Sequence, residues 1–223
     1  MRKEKHVLVI FPHPDDEAFG VSGTISMHTA NDTPVTYACL TLGEMGRNLG
    51  NPPFATRESL PEIRRKELVK AAEAMGIKDL RMMGFRDKTI EFEDDDKMTA
   101  LVSDLLDEVR PSLVISFYPG YSVHPDHEAT ARAVVRAMSK LDKEERPPLY
   151  AIAFSNNHEA EIGPPDVLID VSEFTEQKKA AMYAHLSQTA WMLPEMEQKW
   201  ADGDEDAWKW LTIERFWTYP FPD

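Results

Sequence analysis

A single cysteine, Cys39, stands in a chain of 223 residues, which excludes an internal disulfide framework. It sits inside the run "VTYACLTL", where a thiol is expected as a buried, inert strand residue. Basic residues are also scarce, since 25 Lys and Arg face 39 Asp and Glu and leave a formal charge of −14. A surface that neutralises nucleic-acid phosphates or anionic lipids needs basic faces, so the expected partner is a small molecule or a protein, with no nucleic acid and no membrane. Long hydrophobic runs are missing too. No stretch approaches the ~18 apolar residues of a membrane span. The apolar run after "MRKEKH" ends at Pro12, too short for the core of a signal peptide, and a cytoplasmic protein is the expectation. Internal repeats, low-complexity segments and interdomain linkers are lacking as well. The length suits one well-buried core, so residues 1–223 read as one domain.

What is present is an alternation of strand and helix patterns. Val7 to Phe11 is a continuous apolar run, suited to a strand covered on both faces, and "GTISMHTA" follows as a helix body. Val35 to Leu42 is a second strand, after which Gly43 to Thr56 makes a loop too long for a simple connection. In "SLPEIRRKELVKAAEAMGI", Ser59 is the expected N-cap, Glu62 its capping-box partner and Gly76 the stop, with Ile63, Leu68, Ala71, Ala72 and Met75 on the apolar face. "DLRMMGF" reads as a short strand. Asp95 to Val109 carries Met98, Leu101, Val102, Leu105 and Leu106 at helical spacing, and Pro111 stops it. The strand "SLVISFYP", the helix "EATARAVVRAMSKL", the strands "PLYAIAFS" and "DVLIDV", and the helix "EFTEQKKAAMYAHLS" capped by Ser172 complete the pattern. This order predicts an α/β fold, a Rossmann-like layered domain with a largely parallel sheet flanked by helices. Trp191, Trp200, Trp208, Trp210 and Trp217 are expected to pack a C-terminal segment onto it.

Two clusters of ionisable residues break the pattern. "HPDDE" follows the first strand and "HPDHE" follows "SLVISFYP", and a turn needs none of that charge. Ligands bind at the carboxyl ends of strands in an open parallel sheet, so the two loops can meet and gather His13, Asp15, Asp16, His124, Asp126 and His127. Imidazole and carboxylate together suit zinc, which is catalytic when three protein ligands leave one position for water. Either cluster alone would also fit a loop held by hydrogen bonds to its own backbone. Two of them, each at a strand end, favour a shared ion, while spacing leaves open which histidine of "HPDH" binds it. Glu17 and Glu128 are expected only to complement a helix dipole.

With "PHPDDE" after a hydrophobic N-terminal strand and "HPDH" about halfway along, the chain resembles the LmbE and PIG-L family of zinc-dependent N-acetylglucosamine deacetylases. "TLGEMG", "RRKELVKAAEAMG", "GFRD" and "AHLSQ" extend the likeness over most of residues 6 to 190. "YPGYSVHPDHEA" and the length are most similar to the second type of bacillithiol-biosynthesis deacetylase of bacilli, which act on N-acetylglucosaminyl malate or its relatives. The resemblance implies Zn²⁺ held by His13, Asp16 and His127, with Asp15 as the base that takes a proton from the hydrolytic water. It implies that His124 stabilises the oxyanion or protonates the leaving amine, oriented by Asp126. The family's sugar-contacting arginine falls on Arg64, and its acid that reaches sugar hydroxyls falls on Asp87. Some members carry Asp or Tyr two residues before the first histidine of "HPDH". Ser122 stands there in this chain, with Tyr121 beside it as a substitute.

The activity so implied is release of acetate from an N-acetylglucosamine conjugate. A metal-dependent phosphoesterase is an alternative, but it would favour more oxygen ligands than a cluster that is half histidine. A non-catalytic sugar- or metal-binding protein is another, although binding a metal needs neither Asp15 nor His124. An acidic aglycone conflicts with the charge of −14 and requires a local reversal of potential. Met45 to Arg57 holds no Asp or Glu, and Arg47 and Arg57 are expected to form a mobile flap that pairs with carboxylates. An ordinary solvated loop would look the same. The oligomeric state is left open, a homo-oligomer included.

Overall fold

The computed structural model describes residues 3–222. Among these, seven strands form the sheet: β1 (Val7–Phe11), β2 (Val35–Thr41), β3 (Asp79–Phe85), β4 (Leu113–Phe117), β5 (Leu149–Ile152), β6 (Val167–Asp170) and β7 (Ile213–Thr218). Their spatial order is β3-β2-β1-β4-β5-β7-β6. The strands from β3 to β5 run parallel, and β7 enters antiparallel between β5 and β6. The helices are α1 (Asp16–Gly20), α2 (Ser22–Ala30), α3 (Leu60–Ala74), α4 (Asp95–Val109), α5 (Pro125–Ser139), α6 (His158–Ile162), α7 (Thr175–Ala184), α8 (Leu186–Thr189), α9 (Leu193–Ala201) and α10 (Glu205–Thr212). No helix among the described residues is long and apolar enough to cross a membrane.

The apolar run of β1 is continuous because both its faces are covered. Val7, Val9 and Phe11 join Leu68, Met75 and Met182 in one core, while Leu8 and Ile10 join Val102, Leu106, Val134 and Met138 in the other. This is the α/β layered architecture with a mostly parallel sheet that the alternation of patterns predicts.

Several local expectations change. α3 begins after Ser59, but Ser59 is itself helical and no side chain caps the helix. Its hydroxyl accepts the Thr56 N–H at 2.9 Å and Glu62 pairs with Arg65 at 2.8 Å, so the capping box is not formed. On the same helix Arg64 and Glu67 are buried while Ile63 is half-buried. Ser172 lies in a short 3₁₀ turn, Ser172–Phe174, ahead of α7 instead of capping it. α5 starts at Pro125, so "HPDH" is the helix's first turn and not a loop before it. Proline suits that position because its missing N–H is unpaired there anyway.

β7 carried no strand expectation, and it ties the C-terminal segment to the core. Buried Glu214 accepts the Gly23 and Thr24 N–H groups of α2 at 3.0 and 2.7 Å and pairs with buried Lys178 at 3.0 Å. Gly23 is required where Val171 packs against α2, since a Cβ would lie 2.6 Å from the Val171 side chain. Of the tryptophans, Trp200 and Trp217 are buried as expected, whereas Trp191 is 61% exposed.

Candidate active site

β1 and β4 are neighbours, and the chain leaves them toward opposite edges of the sheet. The two clusters meet in the crevice at this switch point. His13 Nδ1 lies 3.1 Å from His127 Nε2, and the Asp16 oxygens lie 3.5 and 3.2 Å from those two atoms. The other ring nitrogens are already engaged. His127 Nδ1 faces the Ser122 carbonyl at 3.0 Å, which only an N–H can satisfy. His13 Nε2 faces Asp126 at 3.3 Å and Asp87 at 3.2 Å, again acceptors only. In these tautomers both neutral rings turn a bare lone pair toward one point, where the Asp16 carboxylate is a third acceptor. Acceptors that converge with no donor among them call for a cation. Zinc bonds of about 2.0–2.2 Å at tetrahedral angles set donors about 3.3–3.6 Å apart, close to the separations here. The proton affinities show the same demand. Burial opposes a charge on His13, but Asp126, Asp16 and Asp87 outweigh it and raise its pKa well above the ordinary value. Burial would also raise Asp16, yet His127 and His13 hold it far below the usual carboxylate range.

The carboxylate of Asp126 does not orient His124. It is fully buried, accepts the Lys88 and Ile90 N–H groups at 2.7 and 3.1 Å, and faces His13. The first turn of α5 drives residue 126 under the loop after β3, so its reach is to the His13 ring and not to its sequence neighbour. His124 is instead the N-cap of α5, its Nδ1 accepting the Asp126 N–H at 3.2 Å. A neutral His124 then carries its proton on Nε2. Burial first, then His13 and His127, lower its pKa. Asp87 lines the cavity, but its oxygens are engaged by His13 and by the Met45 N–H at 2.8 Å.

Asp15 sits between the ligand loop and Arg64. Its backbone has φ 106° and ψ −25°, a conformation that costs a non-glycine residue about 1–3 kcal/mol and persists only when its surroundings hold it. Arg64 is buried and donates to the Pro14 carbonyl, to Asp15 Oδ2 at 3.1 Å and to the Gly43 carbonyl at 2.8 Å. Gly43, at φ 60°, leaves the guanidinium its space. Burial pushes the Asp15 carboxyl up to about 6 against the pull of Arg64, with Asp16 adding to the rise.

The cavity above these groups measures about 680 Å³, and its lining includes Asp15, His124, Arg47, Lys88 and Glu91. Arg57 is not part of that lining. It donates to the Gly46 and Glu44 carbonyls at 2.8 and 3.3 Å and braces the loop. The loop is no free flap, because Gln188 Nε2 binds the Asn48 carbonyl at 3.0 Å and Gly50 N–H binds the Ser187 carbonyl at 2.9 Å. Tyr121 also lies outside the lining, with its hydroxyl 3.1 Å from Glu161. Ser122 serves the site in its place: its carbonyl holds His127, while its N–H and Oγ both donate to Glu128 at 2.8 Å. Glu128 therefore does more than complement a dipole. Lys88 is not among the residues the sequence singles out, because it belongs to neither charged cluster. The "GFRD" turn just before it was the available signal.

Residues 8–138 match the family described as PIG-L, GlcNAc-PI de-N-acetylase. The chain belongs to the PIG-L family. This PIG-L chain is 55% identical over 223 residues to a Bacillus anthracis protein named "Probable N-acetyl-alpha-D-glucosaminyl L-malate deacetylase 2", covering 100% of this chain and 99% of that one. A Bacillus subtilis protein of the same name is 48% identical over 220 residues, covering 99% and 100%. The fold is shared with the N,N'-diacetylchitobiose deacetylase of Pyrococcus horikoshii, with TM-score 0.72, 24% identity and coverage of 97% of this chain and 84% of that one. It is shared equally with a 4-carboxy-2-hydroxymuconate hydratase of Pseudomonas putida, with TM-score 0.71, 21% identity and coverage of 98% of each. Fold alone therefore does not choose the reaction. The full-length relatives do, and this PIG-L protein is an N-deacetylase with a small-molecule substrate.

Proposed function

We propose that the chain, acting as one catalytic unit, is a zinc-dependent deacetylase that removes the N-acetyl group of N-acetylglucosaminyl malate in bacillithiol biosynthesis, releasing acetate and a free amine. The observation that carries this reading is the convergence of His13, Asp16 and His127 as acceptors beside Asp15 and His124 in one cavity. The malate conjugate is supported by the names of the full-length relatives.

Zinc bound by His13, Asp16 and His127 would polarise the acetyl carbonyl and lower the pKa of its water to about 7. The chain's own groups supply the rest. Asp15 takes the proton of the attacking water as its oxygen bonds to the acetyl carbon. His124, when protonated to imidazolium, stabilises the oxyanion through its Nε2–H and gives that proton to the nitrogen as the C–N bond breaks. Asp126 and Asp87 orient His13, and Arg64 holds Asp15 in place. Purified protein containing zinc is expected to release acetate from the malate conjugate. Zinc-loaded protein that released acetate from no N-acetylglucosamine conjugate would overturn the reading.

The rate should rise as Asp15 loses its proton, from a value near 6 that a bound cation draws lower, and fall as His124 loses its own. His124→Ala is expected to remove the alkaline limb, and an unchanged bell would take His124 out of the acid role.

Arg47 and Lys88 are the groups suited to the malate carboxylates. Both line the cavity, and neither has an ion-pair partner among the described residues. Arg47→Ala and Lys88→Ala should each lower kcat/KM for the malate conjugate by about 10-fold and hardly change it for neutral N-acetylglucosamine, with added salt mimicking part of the loss. Arg57→Ala should instead affect both substrates alike, through the loop. Equal losses on both substrates for Arg47→Ala and Lys88→Ala would reject the carboxylate contact.

A further inference from the structure

Beneath the metal-ligand loop lies a buried polar network that the reaction as described does not use. Glu17, Tyr37 and His185 come from α1, from β2 and from the junction of α7 and α8, and all three are fully buried. Glu17 Oε2 accepts the Tyr37 hydroxyl at 2.8 Å and the Asp15 backbone N–H at 3.1 Å. Glu17 Oε1 meets His185 Nε2 at 2.6 Å. His185 Nδ1 has no hydrogen-bond partner among the described residues, so Glu17 is the one group its ring serves. A buried imidazole and phenol spent on one carboxylate fix that carboxylate in place. The same carboxylate holds the N–H of Asp15, which follows His13 and Pro14 in a strained conformation at φ 106°.

We propose that Glu17, braced by Tyr37 and His185, is a positioning residue for Asp15. Its carboxylate anchors the Asp15 N–H and so keeps the backbone at positive φ, which turns the Asp15 side chain toward Arg64 and the cavity. Without the anchor the backbone relaxes toward the negative φ that a residue with a Cβ prefers, and the Asp15 carboxylate swings off its line. This inference rests on the reading of Asp15 as the base.

The test is a double-mutant cycle on zinc-loaded protein, with the zinc content and a crystal structure of each variant. Glu17→Gln keeps the shape and weakens the acceptor; Tyr37→Phe removes only the hydroxyl and serves if Glu17→Gln does not fold. Glu17→Gln is expected to lower kcat by about 10- to 100-fold with KM nearly unchanged, because a misplacement on the order of 1 Å costs that much. Zinc content should stay at the wild-type level, and Asp15 should show a negative φ. Tyr37→Phe should act in the same direction by a smaller factor. In an Asp15→Asn background either change should cost less than about twofold, since an aimed base is no longer there to lose. Wild-type turnover of Asp15→Asn itself would sink the base assignment and this inference with it. A slow Asp15→Asn, combined with unaltered kcat in Glu17→Gln and Tyr37→Phe or with equal losses in both backgrounds, would sink the positioning role alone.

Discussion

Asp15→Asn is expected to lower kcat by about 10²- to 10⁴-fold while the protein keeps its zinc. The amide keeps the volume and the backbone of the aspartate but cannot take a proton. The proposed metal donors are on other residues, so metal content should not follow activity down. The side chain is also paired with Arg64, a buried cation that keeps contacts to the Pro14 and Gly43 carbonyls in the variant. Loss of the Asp15 charge therefore leaves Arg64 partly satisfied, and the fold should survive. Metal analysis and kcat on the same preparation check this, and near-normal turnover would end the base role.

His127→Ala is expected to abolish stoichiometric zinc and, with it, measurable turnover. His127 contributes one of three converging acceptors, and its ring is fixed by the Ser122 carbonyl and by stacking on Phe117 at 4.2 Å. With two donors left, the site falls short of the set that holds a catalytic zinc. Retention of wild-type zinc affinity would show the ligand assignment to be wrong. Asp126→Ala makes the contrast sharper. If Asp126 acted on His124, its loss would change the acid step and leave the metal alone. Because its carboxylate faces His13, zinc affinity should fall by about 10- to 100-fold.

Most of the fold was legible in the chain because its signals are local. The two-faced burial of β1, the helical spacing across Asp95 to Val109 and the alternation of elements are patterns within a few residues of one another, and each corresponds to an observed element. So were the positions of the two clusters at strand ends, since a histidine and several acids after an apolar run conflict with simple turn chemistry. Local pattern failed where burial of charge depends on a distant partner. Hydrophobic periodicity assigns Arg64, Glu67, Lys178 and Glu214 to solvent, yet all four are buried. Each is buried against groups far away in sequence: Pro14 and Gly43 for Arg64, Ser187 for Glu67, and Gly23 and Thr24 for the Lys178–Glu214 pair.

The sequence by itself determined the layered α/β architecture, the crevice at the end of β1 and β4 and the chemical types of the groups within it. Tertiary structure alone decided which atoms meet there: Asp126 on His13 and not on His124, Arg47 in the cavity and Arg57 outside it, Glu17 beneath Asp15 and not idle in a helix turn. The physical reason is range. Periodicity and capping act over a few residues, whereas a buried ionisable group is tolerated only where hydrogen bonds and opposite charges from other elements surround it, and that meeting exists only once the sheet has formed.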